Sequence, residues 1–202
     1  MTTFSEIYQA TVDQTKRPEL VAMTEAAIRI ATLRAHHVDF FPRDLRTQQI
    51  VYAVNPTQMY YDFPNISTTL LPRLRSIKNV YTLTADGQHQ IEELEYRETN
   101  DLYDSDGAPR RYMYTLIGDT LRCYFDMPTG LLETYFFANP IVSKGSYSSW
   151  IADEYIDDLA AWAAGIVMAR TGFLELAQNY ERDYVRPFKE TLIASHLLAA
   201  VN

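Results

Sequence analysis

Cysteine is almost absent from this sequence, which excludes two kinds of stabilising cross-link. Cys123 is the single cysteine, so neither an intramolecular disulfide nor a zinc site built from several cysteines can form. This usage is typical of a reducing compartment. We expect the Cys123 side chain to be a small, buried apolar group.

Targeting and membrane signals are missing as well. The opening residues MTTFSE lack the basic start and apolar run of a secretory signal. No apolar run reaches the roughly 18 residues that a membrane span needs. We therefore expect a cytosolic chain.

Basic residues are fewer than acidic residues. The chain has 18 Lys and Arg against 26 Asp and Glu, for a net charge of −8. It therefore lacks the overall positive field on which non-specific nucleic-acid binding depends, and it should repel a DNA backbone.

The sequence motifs of common enzyme mechanisms are also absent. There is no Gly-rich phosphate loop, no Gly-x-Ser-x-Gly elbow and no His-Glu-x-x-His. We expect a non-enzymatic protein without catalytic residues or cofactor. The enzyme alternative would need a deep pocket in which some of His89, Glu92 and Cys123 converge.

Two polar groups are weak candidates for metal binding. His36, His37 and Asp39 lie close together, but adjacent helical positions point about 100° apart, so a polar helix end is expected instead of a metal site. An acidic run lacks the glycine and bidentate glutamate of a calcium loop and is interpreted as a solvated or subunit-facing surface. It comprises Glu92, Glu93, Glu95, Glu98, Asp101, Asp104 and Asp106.

What the chain does contain predicts a folded protein with a sizeable core. It has 202 residues, 47% of them hydrophobic, with 15 Tyr and 9 Phe. Thr3 and Glu6 have capping-box spacing for a first helix, and Pro18 is placed to begin a second helix that runs to about Leu33. These two helices should form a hairpin.

The middle of the chain predicts strands. A first strand is expected at 49–54, followed by a loop-rich stretch that Pro56, Pro64 and Pro72 interrupt. The signals Asp86-Gly87 and Gly118-Asp119 then indicate hairpins of an antiparallel sheet. Its expected strands are 77–83, 90–96, 111–117, 120–125 and 131–138.

The end of the chain predicts helices. Ser148 or Ser149 can cap a helix that Gly172 ends, and Pro187 should kink or split the last helix. The predicted fold class is α+β, a helical bundle of the N-terminal hairpin and two C-terminal helices with an inserted antiparallel sheet and long loops. One composite domain is expected, with a hairpin at 1–42, a β-rich insertion at 43–140 and helices at 141–202.

Three segments carry a resemblance to a known family. Residues 109–128 read PRRYMYTLIGDTLRCYFDMP, residues 132–140 read LETYFFANP and residues 150–164 read WIADEYIDDLAAWAA. A hairpin, an aromatic strand ending in proline, a helix, a glycine and a long last helix resemble the head-to-tail adaptor proteins of tailed bacteriophages. The resemblance covers about residues 77–199, with the opening hairpin in outline, and leaves 41–72 unassigned.

The resemblance implies a structural role in the neck of a virion. Such proteins form a ring, commonly of twelve copies, that is assembled in the host cytoplasm, docks beneath the portal and offers its other face to a tail or nozzle protein. DNA passes through the ring without sequence-specific binding. The alternative is a non-enzymatic cellular scaffold or binding module of small oligomeric state.

Charged groups are the candidates for contacts between copies. A closed ring of identical subunits needs two complementary patches, and separated acidic and basic groups can supply them. The candidate interface residues are Glu92, Glu93, Glu95, Arg73, Arg75, Arg110 and Arg111.

Overall fold

A computed structural model describes residues 1–55, 57–58, 60–99, 112–125 and 129–201, without the side chains of 198–201. The chain divides into two compact units. The helical unit joins Met1–Asp44 to Asn139–Asn202, and the sheet unit is Leu45–Ala138. Within the described ranges, no helix combines the length and apolar character needed to cross a membrane.

The first two helices begin and end at local signals. Helix α1 is Phe4–Thr15, and the predicted capping box at its start is confirmed by reciprocal bonds between Thr3 and Glu6. Helix α2 is Val21–His36, so it begins three residues after the predicted Pro18. That proline lies in the turn that connects the two helices.

Four further helices follow the sheet unit in the described part of the chain: α3 Trp150–Glu154, α4 Ile156–Arg170, α5 Leu174–Tyr180 and α6 Arg186–Val201. Ser149 caps α3 as predicted, since its side chain accepts a bond from the Ala152 N–H. Gly172, at φ 87°, follows the end of α4. The predicted split near Pro187 is confirmed, and a π-type turn at Glu181–Val185 precedes α6, because proline leaves the Asp183 carbonyl without its helical N–H partner.

The helical unit has its own core. Helix α4 contacts α1, α2 and α5, and its alanines let the neighbouring backbones approach closely. The large side chains of this core come from α4 itself, from the other helices and from the segment after α2. This core includes Phe4, Ile7, Ile28, Phe41, Ile151, Leu159, Trp162, Val167, Phe188 and Leu192.

The sheet unit contains seven strands in the order β1-β7-β3-β4-β5-β6-β2. The strands are β1 Leu45–Val51, β2 Tyr60–Pro64, β3 Leu74–Leu83, β4 Gln90–Tyr96, β5 Met113–Ile117, β6 Thr120–Tyr124 and β7 Leu131–Ala138. Their buried residues form a second core, in which Cys123 is fully buried, as predicted.

The predicted fold class is wrong. The chain is a mixed α/β protein in which a seven-stranded sheet and six α-helices are built from the described residues, and not a helical bundle with a small antiparallel insert. One strand pair is parallel, since β4 pairs with β5 through Glu95 opposite Met113 and Tyr96 opposite Tyr114. The sheet is also larger than predicted, because the expected loop stretch contributes the edge strand β2.

Strand β2 forms because tertiary contacts compensate for its weak local signal. Tyr61 and Phe63 are buried, while Tyr60, Asp62 and Pro64 are exposed. Pro64 ends this strand at a sheet edge. Asp62 accepts two bonds from Arg122 on β6, at 2.7 and 2.8 Å. These bonds are the main reason that the pKa of Arg122 is raised.

Strand β1 is the opposite edge of the sheet and pairs with β7. The Tyr52 N–H, just after β1, donates to the Gly130 carbonyl at 2.9 Å. Backbone direction alternates along a strand, so the carbonyls of Leu45 and Gln49 face away from β7. Each accepts a bond from a neighbouring side chain, Arg46 at 2.8 Å and Gln48 at 3.1 Å.

Candidate subunit interface

The predicted acidic interface residues lie together on strand β4. Glu92, Glu93 and Glu95 are exposed, whereas Leu94 is the one residue of this strand that is buried. Glu95 forms an ion pair with Arg97 at 2.7 Å. The strand therefore presents three carboxylates on the surface of the sheet unit.

Neighbouring strands continue this polar surface. The Asn79 side-chain amide donates to Glu93, and the Gln90 amide donates to Glu133 at 2.7 Å. Burial and the charge of Glu93 raise the pKa of Tyr81. Carboxylates, amides and phenols thus alternate across β4, β3 and β7.

Two of the four predicted basic residues, Arg73 and Arg75, are described, and both lie at the start of β3. Arg73 is exposed and has a left-handed backbone, with φ 65°. Arg75 is half-buried, and its guanidinium lies 5.4 Å from the centre of the Phe137 ring. Arg110 and Arg111 lie outside the described residues. Pairing between these cations and the β4 carboxylates stays a prediction.

The residues of the enzyme alternative are not brought to one surface. Cys123 is completely buried, and burial raises the pKa of its thiol. His89 and Glu92 are exposed. A thiol without access to solvent cannot meet a substrate beside these two side chains.

A buried polar network, which sequence reasoning missed, lies in the helical unit. His36 Nδ1 donates to the Asp44 carboxylate, 2.9 Å from Oδ1 and 3.0 Å from Oδ2, and His36 Nε2 lies 2.9 Å from Ser149 Oγ. The Trp150 indole N–H donates to Asp44 Oδ1 at 3.0 Å. We call these four residues the Asp44 network.

The Asp44 network has the connectivity of a Ser-His-Asp triad, but it is buried and connects structural elements. Ser149 is 5% exposed, and its Oγ also accepts the Ala152 N–H at 3.2 Å, which caps α3. A nucleophile needs access to its substrate. The network instead ties the end of α2 and the 3₁₀ turn Pro42–Asp44 to the start of α3.

The other polar residues near the end of α2 face different partners. His37 Nε2 lies 2.8 Å from Asn139 Oδ1, and His196 Nδ1 lies 2.6 Å from Asp39 Oδ2. His36, His37 and Asp39 were the weak metal candidates, and their bonds to separate partners keep them from converging. No group of three or more His, Cys, Asp or Glu among the described side chains is arranged to hold a metal ion.

A small cavity lies beside this network. Its volume is about 120 Å³, and we call it the Trp150 pocket. The Phe41 and Trp150 rings meet edge to face at 5.3 Å, and the Arg43 guanidinium lies 5.0 Å from the Trp150 ring centre and pairs with Glu154. An apolar floor with a charged rim suits an apolar side chain that has a charged neighbour. The pocket is lined by Phe41, Pro42, Arg43, Trp150, Glu154, Ser195 and His196.

An apolar ridge lies on helix α5 and its flanks. Phe173 is 46% exposed, Leu174 63%, Leu176 47% and Tyr184 49%, and none of the residues of α5 is buried. We call these four residues the α5 ridge. Tyr184 lies in the π-type turn at Glu181–Val185, whereas Phe188, in α6, is buried.

A glycine fixes the position of α5. A Cβ atom at Gly165 of α4 would come within 3.0 Å of the Tyr180 Cβ atom. The Tyr180 hydroxyl donates to the Gln14 carbonyl at 3.3 Å. Helix α5 is therefore held against α1 and α4 by Tyr180, while its leucines remain on the outside. The run Phe173-Leu174 followed by Leu176 was the sequence signal for this ridge, because residues one and two apart cannot all face one core.

Comparisons with known proteins identify no family for the chain. No family model matches it, and no curated protein matches it. A solved structure described as "Neck of native GTA particle computed with C12 symmetry" is similar at 13% sequence identity and a TM-score of 0.25. That match covers 84% of this chain and 86% of the other.

Proposed function

We propose that this chain is a structural head-to-tail adaptor of a tailed bacteriophage particle. Copies of it form a ring, about twelve in number, between a portal protein and a tail or nozzle protein. The genome passes through the ring without sequence-specific binding. The ring belongs to the neck of the virion, is assembled in the host cytoplasm and performs no catalysis.

The observation that carries this proposal is the exposed α5 ridge. Four large apolar side chains between residues 173 and 184 are each about half exposed or more. A helix that leaves several large apolar side chains exposed is typical of a site of protein association. A ring subunit covers such a surface with its neighbour, which accounts for a helix without a single buried residue.

The order of elements in the fold supports the same proposal. The resemblance to adaptors rests on a hairpin, an aromatic strand ending in proline, a helix, a glycine and a long last helix. Strands β5 and β6 form that hairpin around Gly118, β7 is the aromatic strand, and Ser149 caps the helix that follows. Gly172 and helices α5 and α6 complete the order.

The charge of the chain also suits this role. A net charge of −8, with three exposed carboxylates on β4, repels phosphates. A duplex that moves through a ring must slide past the protein without sticking to it. Acidic subunits allow that movement.

Native mass spectrometry of the protein, alone and mixed with its candidate portal protein, tests the proposal. We expect either a free ring of about twelve copies or a monomer that reaches that number on the portal. A monomer or small oligomer that ignores the portal would overturn the proposal and favour the cellular scaffold.

The role proposed for the β4 carboxylates has a separate test. Reversing the charge at Glu92, Glu93 and Glu95 to lysine should weaken ring assembly most strongly at low salt, where screening is least. Unchanged assembly at every salt concentration would remove these residues from the interface. The control reverses three exposed carboxylates of the helical unit, Asp13, Asp157 and Glu190.

A further inference from the structure

The two halves of helix α6 are held in the helical unit by different means. Phe188 and Leu192 are at most 2% exposed, and the Phe188 ring packs against the Trp162 ring of α4, with 6.3 Å between the ring centres. After Leu192, none of the described side chains of α6 is buried, and Ile193 and Leu197 are 39% and 62% exposed. Core packing therefore fixes the first half of α6 and not the second.

One hydrogen bond to a distant residue holds the second half. His196 Nδ1 donates to Asp39 Oδ2 at 2.6 Å, and the His196 ring meets the Phe41 ring edge to face at 5.8 Å. Ser195 is also half-buried, but it donates to the Leu192 carbonyl of its own helix. Among the described side chains of α6 after Leu192, His196 alone is hydrogen-bonded to another part of the chain.

The second half of α6 also forms one wall of the Trp150 pocket. Ser195 and His196 line the pocket from α6, and Phe41 and Trp150 are among the residues that line it from the rest of the helical unit. A helix end without buried side chains unwinds readily, because its last carbonyls lack helical partners and little packing holds it. Unwinding after Leu192 would remove this wall and expose both aromatic rings to solvent.

We propose that α6 after Leu192 is a lid on the Trp150 pocket and that the His196–Asp39 bond is its latch. While the bond is made, the lid stays helical and covers the aromatic rings of the pocket. When the bond breaks, the lid unwinds and uncovers them, whereas the buried first half of α6 stays in place. The lid works within a single copy and is independent of the proposed ring.

Amide hydrogen exchange followed by mass spectrometry tests the latch. Loss of a hydrogen bond to a charged group shifts an opening equilibrium by about tenfold to a hundredfold. His196→Ala should therefore raise the exchange rates of the amides at 194–197 by that factor and leave those at 190–192 unchanged. Equal rates at 194–197 in the variant and the unmodified protein would overturn the latch. Complete exchange there at the first time point in the unmodified protein would overturn it too, because no closed lid would exist.

Further variants separate the bond from its surroundings. His196→Phe keeps an aromatic ring but removes the donor, so it should open the lid as His196→Ala does; a closed lid in this variant would overturn the bond as the latch. Asp39→Ala should add little when combined with His196→Ala, because both changes remove the same bond. Fully additive effects would contradict the pairing. The control is Lys144→Ala, which breaks a surface ion pair with Glu25 and should leave exchange at 194–197 unchanged.

The fluorescence of Trp150 reports whether the pocket is uncovered. The chain has two tryptophans, so the conservative change Trp162→Phe leaves Trp150 as the single emitter. In this background, acrylamide should quench Trp150 more strongly after His196→Ala than before it, because the open lid admits the quencher. Faster amide exchange without stronger quenching would show that α6 unwinds without uncovering the pocket, and the lid would be overturned.

Discussion

His36 and Asp44 share a hydrogen bond of 2.9 Å inside the helical unit, and both side chains are at most 5% exposed. The bond joins the last turn of α2 to the turn that leads into β1. The same carboxylate accepts the Trp150 indole N–H. Asp44 therefore links the end of α2, its own turn and the start of α3, and the last two line the Trp150 pocket.

Replacing Asp44 with alanine should destabilise the protein by about 2–4 kcal/mol, because the buried His36 and Trp150 donors would lose their acceptor. Urea unfolding followed by tryptophan fluorescence measures this change. Asp13→Ala, on the exposed face of α1, should stay within about 0.5 kcal/mol of the unmodified protein. Equal losses for the two variants would mean that the Asp44 network contributes nothing to stability.

Replacing Gly165 with valine should cost about 1–3 kcal/mol, because the added side chain meets Tyr180 and forces α5 away from α4. Thermal or urea unfolding reports the loss. Gly145 is the matched control, since a Cβ atom there meets nothing within 4 Å, so Gly145→Val should be nearly neutral. A neutral Gly165→Val would show that α5 can shift without cost.

Alkali should weaken the fold from about pH 10 upward. Burial raises the pKa of Tyr52, Tyr114 and Tyr147 to about 12. Between the ordinary value near 10 and the raised value, the unfolded chain has lost protons that the folded chain keeps, so stability falls as pH rises. Urea unfolding at several pH values measures the slope.

The variant Tyr114→Phe should flatten that slope by up to one proton, because it removes one of the three groups. Identical slopes in the variant and the unmodified protein would show that Tyr114 does not resist ionisation in the folded state.

The Cys123 thiol should be unreactive in the folded protein, because it is completely buried and its pKa is raised. A thiol reagent such as DTNB should detect no thiol in native buffer and one per chain in concentrated urea. Leu174→Cys supplies an exposed thiol that reacts at once. Rapid labelling of native Cys123 would contradict the buried position.

Local signals in the sequence predicted several elements. The Thr3–Glu6 box predicted the start of α1, and its two residues lie at that start. The runs at 90–96 and 131–138 predicted strands β4 and β7 with their bounds. The partners of β7 lie far along the chain, so the sequence predicted this strand but not its place in the sheet.

Elements that depend on distant residues were missed or misjudged. Strand β2 is fixed by its pairing with β6, some 60 residues away, and a proline-rich stretch gave no local sign of that partner. The parallel pairing of β4 with β5 likewise depends on tertiary contacts. The Asp44 network joins residues up to 113 positions apart, so no spacing in the sequence could reveal it.

The covered carbonyls of Leu45 and Gln49 on β1 have a consequence for how many copies can join. An uncovered sheet edge invites further strands, and growth of that kind has no natural end. Arg46 and Gln48 occupy two of the places where a new strand would bind. They hinder open-ended growth through β1, so in the proposed ring a different surface would join the copies.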